Sequence, residues 1–331
     1  MTGRTIVYLP NWIGDMVMAV PFLKSLKTSL SGELWGIGKT NAMHIYNGLE
    51  LFDRFVPYDR RGFLPFLDVV NSLKETYFDR GVMLPHSFRS ALLLFTARVR
   101  ERIGYSRNRR GFMLTRTVEE APGLESTVEH YLKIIEAMGE KRVEQSPGLV
   151  VTADEEYRFD HGHLDIFRPY VAFIPGAQYG PSKRWPESHF SELADMIADN
   201  LNAKVYILPG KGEEGIARSI AEGARRKDLV EVKYLDIRDL KVCLSRASAV
   251  ISNDTGPRHI SAALSVPTIV LLGPMDAKYT AYQSPHTHQA FIDVPCKPCN
   301  KKRCDRDHEC LKGIKPQDIF MKVESVLNGT N

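Results

Sequence analysis

The chain has 331 residues, 43% of them hydrophobic and 25% charged, ordinary globular usage that excludes disordered, collagen-like and coiled-coil proteins. A chain of this length buries roughly three quarters of its unfolded surface, so it needs no disulfide or metal merely to fold, and length alone suggests about two domains. The net charge of +4, from 44 basic and 40 acidic residues, is too mild for a polybasic protein.

The recurrent unit is a short β-branched run, a loop bearing Gly, Pro or Asn, then an amphipathic stretch. That alternation predicts βα units around parallel sheets. Arg4–Leu9 reads as a strand, Met16–Leu30 as a helix, and Glu33–Ile37 as a second strand. Phe63–Thr76 follows as a helix, Gly81–Leu84 as a strand with a helix from Ser87, and Thr127–Met138 as a helix. The polar stretch Thr152–Arg168 reads as a connection between domains. The pattern then restarts, with buried strands expected at Tyr170–Ile174, Lys204–Leu208, Ala249–Ser252 and Thr268–Leu272. Helices follow near Pro186, Glu213 and Pro257, and another closes the chain. The expected architecture is α/β: two doubly wound Rossmann-like domains, 1–155 and 168–331, facing each other across a cleft.

The run Ile6 to Leu23 imitates a signal peptide, but Asn11 and Asp15 fall inside it and Pro10 and Pro21 break it. No stretch reaches the ~18–20 apolar residues of a membrane span, which predicts a soluble, cytoplasmic chain.

In open α/β sheets, ligands sit outside the carboxyl ends of the strands, and four loops fall there. The first, Pro10-Asn11-Trp12-Ile13-Gly14-Asp15, lacks the G-x-G-x-x-G dinucleotide fingerprint. It offers one carboxylate at a helix start, Asp15, which reads either as a helix cap or as a general base. The second, Pro175-Gly176 through Lys183-Arg184-Trp185-Pro186, brings glycines that admit a ligand to the backbone and a lysine suited to phosphate. The third carries Glu213 and Glu214 in a first helical turn, where acids complement the helix dipole or accept ribose hydroxyls. The fourth, Asn253-Asp254-Thr255-Gly256-Pro257-Arg258-His259, runs from a strand into a helix whose exposed N–H groups make an anion site.

The basic excess lies entirely in residues 1–150, with 20 Lys and Arg against 16 Asp and Glu, whereas residues 151–331 carry 24 of each. From Arg89 to Arg116 there are eight arginines and one acid, Glu101, which reads as a solvated face or a surface for an anionic partner. Cys243 reads as a core residue. Cys296, Cys299, Cys304 and Cys310 form a C-x2-C-x4-C-x5-C cluster that reads as free thiols or as a structural zinc site, with spacing unlike a standard finger. The nearby Asp305-Arg306-Asp307 lies outside any strand end and is rejected as a metal motif.

Together these loops resemble the bacterial lipopolysaccharide heptosyltransferases, ADP-heptose glycosyltransferases of GT-B fold, and most of all their heptosyltransferase II branch. Asn11-Trp12-Ile13-Gly14-Asp15, Pro85-His86-Ser87-Phe88-Arg89-Ser90-Ala91-Leu92 and Arg102-Ile103-Gly104-Tyr105 carry the likeness in the first half. Pro175-Gly176-Ala177, Lys183-Arg184-Trp185-Pro186, Asn253 to Pro257 with His259, and the cysteine cluster carry it in the second. The resemblance implies Asp15 as the base for the acceptor hydroxyl, within an acceptor-binding first domain. It implies Lys183 on the donor diphosphate, Glu213 or Glu214 on the ribose, and Asp254 near the heptose. Gly176, Thr255, Gly256 and His259 complete the nucleotide site. Arg258 departs from the small or apolar residue usual in relatives.

No metal cofactor is required in that scheme, and the anomeric centre is inverted. The implied acceptor is lipid A bearing Kdo and a first heptose, at the cytoplasmic leaflet of the inner membrane. Asn11, Arg89, Arg98, Arg102 and Arg110 would read its anions and hold the enzyme peripherally on that leaflet. Alternatives are a heptosyltransferase I reaction, another GT-B nucleotide-sugar transferase or epimerase, and, remotely, a nucleic-acid-binding protein. The last requires aromatic-interleaved basic motifs that this chain lacks.

Overall fold

A computed structural model describes residues 3–59, 62–162, 166–167, 169–280, 282 and 284–328. The chain divides into two compact units: Met1–Leu149 with Lys278–Tyr282, and Val150–Ala277 with Gln283–Asn331. Arg168, the expected start of the second domain, lies outside the described residues.

The first unit is a six-stranded parallel sheet of β1 (Arg4–Tyr8), β2 (Glu33–Gly38), β3 (Arg54–Pro57), β4 (Arg80–Met83), β5 (Glu101–Tyr105) and β6 (Arg116–Val118), in the order 3-2-1-4-5-6. The second unit repeats the plan with β7 (Tyr170–Ile174), β8 (Lys204–Ile207), β9 (Val230–Val232), β10 (Ala249–Asn253), β11 (Thr268–Leu271) and β12 (Thr287–Ala290), in the order 12-11-10-7-8-9. Both are doubly wound sheets, the α/β class that the alternation predicts. Every pairing is parallel, Tyr8 opposite Ile37 and Met83 in one unit, Ser252 opposite Ile174 and Val270 in the other.

Central strands covered on both faces need continuous apolar runs, and Tyr170–Ile174 is buried at every position. The second core gathers Phe173, Phe190 and Trp185, whose indole Nε1 donates to the Ile314 carbonyl at 3.0 Å. The first gathers Ile6, Trp35, Phe78 and Leu94. Ser87 and Ser126 cap the helices that follow, their hydroxyls accepting from the N–H groups of Ser90 and Glu129.

Two expectations change. The helix expected over Met16–Leu30 is two, Ile13–Met18 and Val20–Ser29, because Pro21 has no N–H to continue the ladder. The stretch read as a connection holds a helix, Ala153–His161, opened by a full capping box between Thr152 and Glu155. It packs within the second unit, where the buried Lys241 donates to Glu155 at 2.9 Å. Among the described residues, no helix is long and apolar enough to cross a membrane.

Candidate active site

A strand order of 3-2-1-4-5-6 sends the chain to one side after β1 and to the other at β4. The crevice for a ligand opens where those paths diverge. In the first unit it lies between the loops after β1 and β4, and in the second between those after β7 and β10.

In the second unit these two loops are welded together. Asn253, the last residue of β10, donates from Nδ2 to the Pro175 carbonyl at 2.6 Å and accepts from the Trp185 N–H at 3.1 Å. Lys183 closes a short 3-10 turn, Pro181–Lys183, and its Nζ donates to Asp254 Oδ2 at 2.7 Å. Arg258, in the first turn of the helix Gly256–Ala263, donates from Nε to the other oxygen, Asp254 Oδ1, at 2.9 Å. The Asp254 and Arg258 side chains are each 5% exposed. Burial alone would raise the Asp254 carboxyl, but the two cations outweigh it and hold it well below the ordinary carboxylate range. His259 is buried beside them, and burial followed by the Arg258 charge keeps its ring neutral. Thr255 caps the helix without a side-chain bond, so the first-turn N–H groups face outward from the cap.

The loop after β8 joins this edge. Glu213 folds back so that Oε2 accepts the Gly210 N–H at 2.8 Å. A Cβ placed on Gly176 would meet the same oxygen at 1.7 Å. Glu214 instead points away and accepts the Gly212 N–H at 3.0 Å. Geometry therefore separates the two acids that sequence left equivalent. The assembly offers cations, helix N–H groups and two carboxylates, Asp254 held by the cations and Glu213 beside Gly176, the equipment for an anionic leaving group carried on a polyhydroxylated ligand.

In the first unit Asp15 lies inside the first turn of Ile13–Met18, with Trp12 at the cap position. Among the described residues its carboxylate has no side-chain hydrogen bond and no ion pair. Burial pushes its pKa up to about 6, and its charge reaches the buried phenols of Tyr46 and Tyr131. A desolvated carboxylate with no cation to hold its negative charge is a base poised near neutral pH. Asn11 is exposed in the same loop.

The family profile of glycosyltransferase family 9 (heptosyltransferase) matches residues 66–309. The chain belongs to that family. It is similar to lipopolysaccharide heptosyltransferase 2 of Escherichia coli strain K12, 26% identical over 98% of both chains. Lipooligosaccharide heptosyltransferase 2 of Haemophilus ducreyi is 27% identical over 98% of this chain and 99% of its own. The solved structure of E. coli ADP-heptose lps heptosyltransferase II superposes with a TM-score of 0.86 over 99% of each chain at 22% identity, a likeness of fold.

In this family 9 glycosyltransferase the arginine-rich stretch separates into surface and scaffold. Arg110 is fully buried, and its guanidinium donates to the carbonyls of Tyr105, Pro85 and Ser87. Arg102 donates to the carbonyls of Met113 and Val99, both at 2.6 Å. The Arg110 guanidinium is thus buried among loop carbonyls, and the half-buried Arg102 guanidinium is turned onto them. Arg98 follows the C-terminus of Phe88–Thr96 and Arg102 opens β5. Both therefore sit at the amino edge of the sheet, away from the Asp15 loop. Arg89 remains, exposed at the carboxyl edge.

One further group was not singled out from sequence. Beyond β4, His86 Nε2 contacts His130 Nε2 at 3.1 Å, and His130 Nδ1 contacts Glu125 at 3.0 Å. Glu125 fixes the His130 proton on Nδ1, so the shared Nε2 contact takes its proton from His86. Burial, then the neighbouring His130, lowers His86 to about 4. The signal was a histidine directly after a strand, within a motif already quoted.

The cysteine-rich loop, already marked by its spacing, lies against the second unit's site. Carbonyls of Asn300 and Lys301 accept from Tyr179 Oη at 2.7 Å and Ser182 Oγ at 2.6 Å, bracing the turn that carries Lys183. Cys296, Cys299, Cys304 and Cys310 are free thiols, and among the described residues no three metal-ligating side chains are arranged to hold an ion. The loop is fixed through its backbone, with Cys299 N–H donating to the Pro274 carbonyl at 3.0 Å. Cys243 lies fully buried, as expected of a core residue.

Proposed function

We propose that this glycosyltransferase moves L-glycero-D-manno-heptose from ADP-heptose onto the heptosyl-Kdo inner core of lipopolysaccharide, the heptosyltransferase II reaction. The observation that carries the reading is the division of chemistry. A desolvated Asp15, with no ion pair among the described residues, stands at the switch point of the first unit, and Lys183, Asp254 and a helix N-terminus stand at that of the second. The names of the heptosyltransferase 2 relatives support the same donor and acceptor class.

In the proposed step, Asp15 takes the proton of the acceptor hydroxyl as its oxygen attacks C1 of the heptose. The bond from C1 to the β-phosphate oxygen breaks, its electrons leave with ADP, and attack from the opposite face inverts the anomeric centre. Lys183 passes from Asp254 to the departing diphosphate, where the Thr255-Gly256 backbone also donates, and His259 contributes as a neutral N–H donor. Arg258 keeps Asp254 fixed near the heptose while Lys183 is engaged. This electrostatic work is what a metal supplies in other transferases, so none is required here. Glu213, held over Gly176, is assigned to the ribose. A glycosidase would instead carry paired carboxylates about the bond.

ADP at about a hundred times its Kd stabilises the fold by ~2.7 kcal/mol, a shift of roughly 5–10 °C in Tm. UDP at equal concentration is expected to shift it by less than half as much. Equal protection by UDP in a thermal-shift titration contradicts the ADP-sugar assignment and favours another nucleotide-sugar enzyme. Gly176→Ala must expel the Glu213 carboxylate, and is expected to weaken ADP binding by about tenfold, the loss of one charged hydrogen bond. Calorimetry that finds unchanged ADP affinity removes Glu213 from the nucleotide site.

A further inference from the structure

We propose that Cys299 and Cys304 are a peroxide-sensitive thiol pair, and that their oxidation to a disulfide loosens the turn that carries Lys183. The inference rests on the reading of Lys183 as the contact of the donor diphosphate. The two cysteines bracket Asn300, Lys301, Lys302 and Arg303, all exposed, and the first three of these hold the turn in place. The Asn300 carbonyl accepts from Tyr179 Oη at 2.7 Å, and the Lys301 carbonyl from Ser182 Oγ at 2.6 Å. The Lys302 carbonyl accepts from the Ser182 N–H at 3.3 Å. It lies so close to Gly180 that a Cβ there would meet it at 2.4 Å. Lys183 Nζ stands over the Tyr179 ring, 5.1 Å from its centroid. A shift of the bracketed segment therefore reaches the lysine through the Tyr179 ring and the Ser182 backbone.

Both thiols are free and half-buried, open to a small oxidant. Cys304 Sγ accepts the Arg306 N–H at 3.4 Å, and a backbone donor on sulfur favours the thiolate, the form that reacts. Lys301, ion-paired with Asp305, also sets its charge within reach of Cys299. Cys310 is buried in the second core and Cys243 is fully buried, which withdraws both from an oxidant in solution. Cys296 is the other half-buried thiol. A bond from it to Cys299 would enclose only Lys297 and Pro298 and leave the bracing carbonyls outside.

The step is a two-electron oxidation by a hydroperoxide. The Cys304 thiolate attacks one peroxide oxygen, the O–O bond breaks, and hydroxide leaves and takes up a proton, so that Cys304 becomes a sulfenic acid. The Cys299 thiolate then attacks that sulfur and expels a second hydroxide, which is also protonated to water. Two thiols and one hydrogen peroxide thus give one disulfide and two waters. A disulfide sets its two Cα atoms about 4.4–6.8 Å apart. The four residues between must then arch to suit the bond rather than Tyr179 and Ser182. With those contacts released, the Pro181–Lys183 turn no longer holds Lys183 beside Asp254, and the nucleotide site weakens until a dithiol reductant reopens the bond.

The test treats the reduced full chain with a slight excess of hydrogen peroxide and divides the sample. One part is alkylated and its peptides mapped by mass spectrometry, and the other is titrated with ADP in a calorimeter. The expected map shows a Cys299–Cys304 disulfide, with Cys243, Cys296 and Cys310 alkylated once the chain is unfolded. ADP binding is expected to weaken by about tenfold, as for the loss of one charged hydrogen bond, and to return on adding dithiothreitol. Cys304→Ser and Cys299→Ala should each bind ADP as reduced wild type does, before and after peroxide. Oxidation that stops at sulfinic or sulfonic acids, a disulfide joining another pair, or a Cys299–Cys304 bond that leaves ADP affinity unchanged overturns the proposal. So does a loss of affinity that dithiothreitol fails to restore, or one that peroxide also causes in either variant. Reduced wild type that does not bind ADP would instead defeat the nucleotide reading, while the peptide map still decides the thiol pair.

Discussion

Asp15→Asn is expected to lower turnover by about 10²–10⁴-fold while leaving ADP affinity within about twofold. The same substitution is expected to make the protein more stable at neutral pH. The folded-state pKa of Asp15, about 6, lies above the ordinary carboxyl value of 3.8, so the fold prefers the protonated acid. That preference is fully present below about pH 4 and is lost as pH rises through about 6. At pH 7–8 the native protein therefore carries an ionised carboxylate that burial opposes, at a cost of about 1–3 kcal/mol. Asparagine relieves it, so denaturant curves should show a gap at pH 8 that closes near pH 4. A helix cap behaves oppositely, since removing one costs about 1 kcal/mol. Activity should follow the same titration, with kcat/KM rising through about pH 6 and level above it. Lost ADP affinity, or reduced stability at pH 8, contradicts the role given to Asp15.

The second large effect concerns the Asp254 cluster. Asp254→Ala leaves Lys183 and Arg258 facing each other without a counterion. The expected loss is about 3–5 kcal/mol of stability, since the cost lies in the uncompensated buried charge. The Asp254 carboxyl titrates below its ordinary range in the folded chain, so its stabilisation holds above the unfolded-state value near pH 4. It is lost as pH falls through the depressed value, and the gap between wild type and variant should stay constant from pH 5 to 8. Lys183→Ala behaves differently, because Asp254 keeps Arg258. That variant should unfold with a smaller loss and bind ADP about 10–100-fold more weakly, the range for hydrogen bonds to a charged group. Chemical denaturation paired with ADP calorimetry separates the two. Equal destabilisation by both substitutions, with ADP affinity retained in Lys183→Ala, contradicts this division of roles.

The parts of the fold legible from sequence were those where one physical demand dominates. Tyr170–Ile174 and Ala249–Asn253 are central strands, covered on both faces, the first apolar throughout and the second apolar up to Ile251. The loops after them stand out because glycine and proline end the runs abruptly. The strands missed, such as Glu101–Tyr105 and Thr287–Ala290, mix charged or polar residues with apolar ones, and four of the five sit at sheet edges. The helix Ala153–His161 buries little beyond Glu155 and Phe159, so its periodicity was faint, although its capping box was written in Thr152 and Glu155.

At the site, Asp15, Lys183, Asp254 and His259 were legible because each stands one loop beyond a strand. The arginines were not. A guanidinium on the surface and one buried against carbonyls have the same spelling, and only the course of the chain gives Arg110 its acceptors. Arg258 was visible as an oddity, yet its partner one turn earlier became evident only once both side chains were buried together. Glu213 and Glu214 differ by one helical step, about 100°, which directs the first over Gly176 and the second outward.

The central claim is that proton removal belongs to the first unit and stabilisation of the leaving nucleotide to the second. Its most direct test is mass spectrometry of the products from ADP-heptose and a truncated heptosyl-Kdo acceptor, with donor saturating for both wild type and Asp15→Asn. The account predicts an acceptor heavier by one heptosyl residue, with stoichiometric ADP, for wild type. For the variant it predicts unchanged acceptor despite bound donor. Normal product from Asp15→Asn, or ADP released by wild type without any gain in acceptor mass, would contradict it.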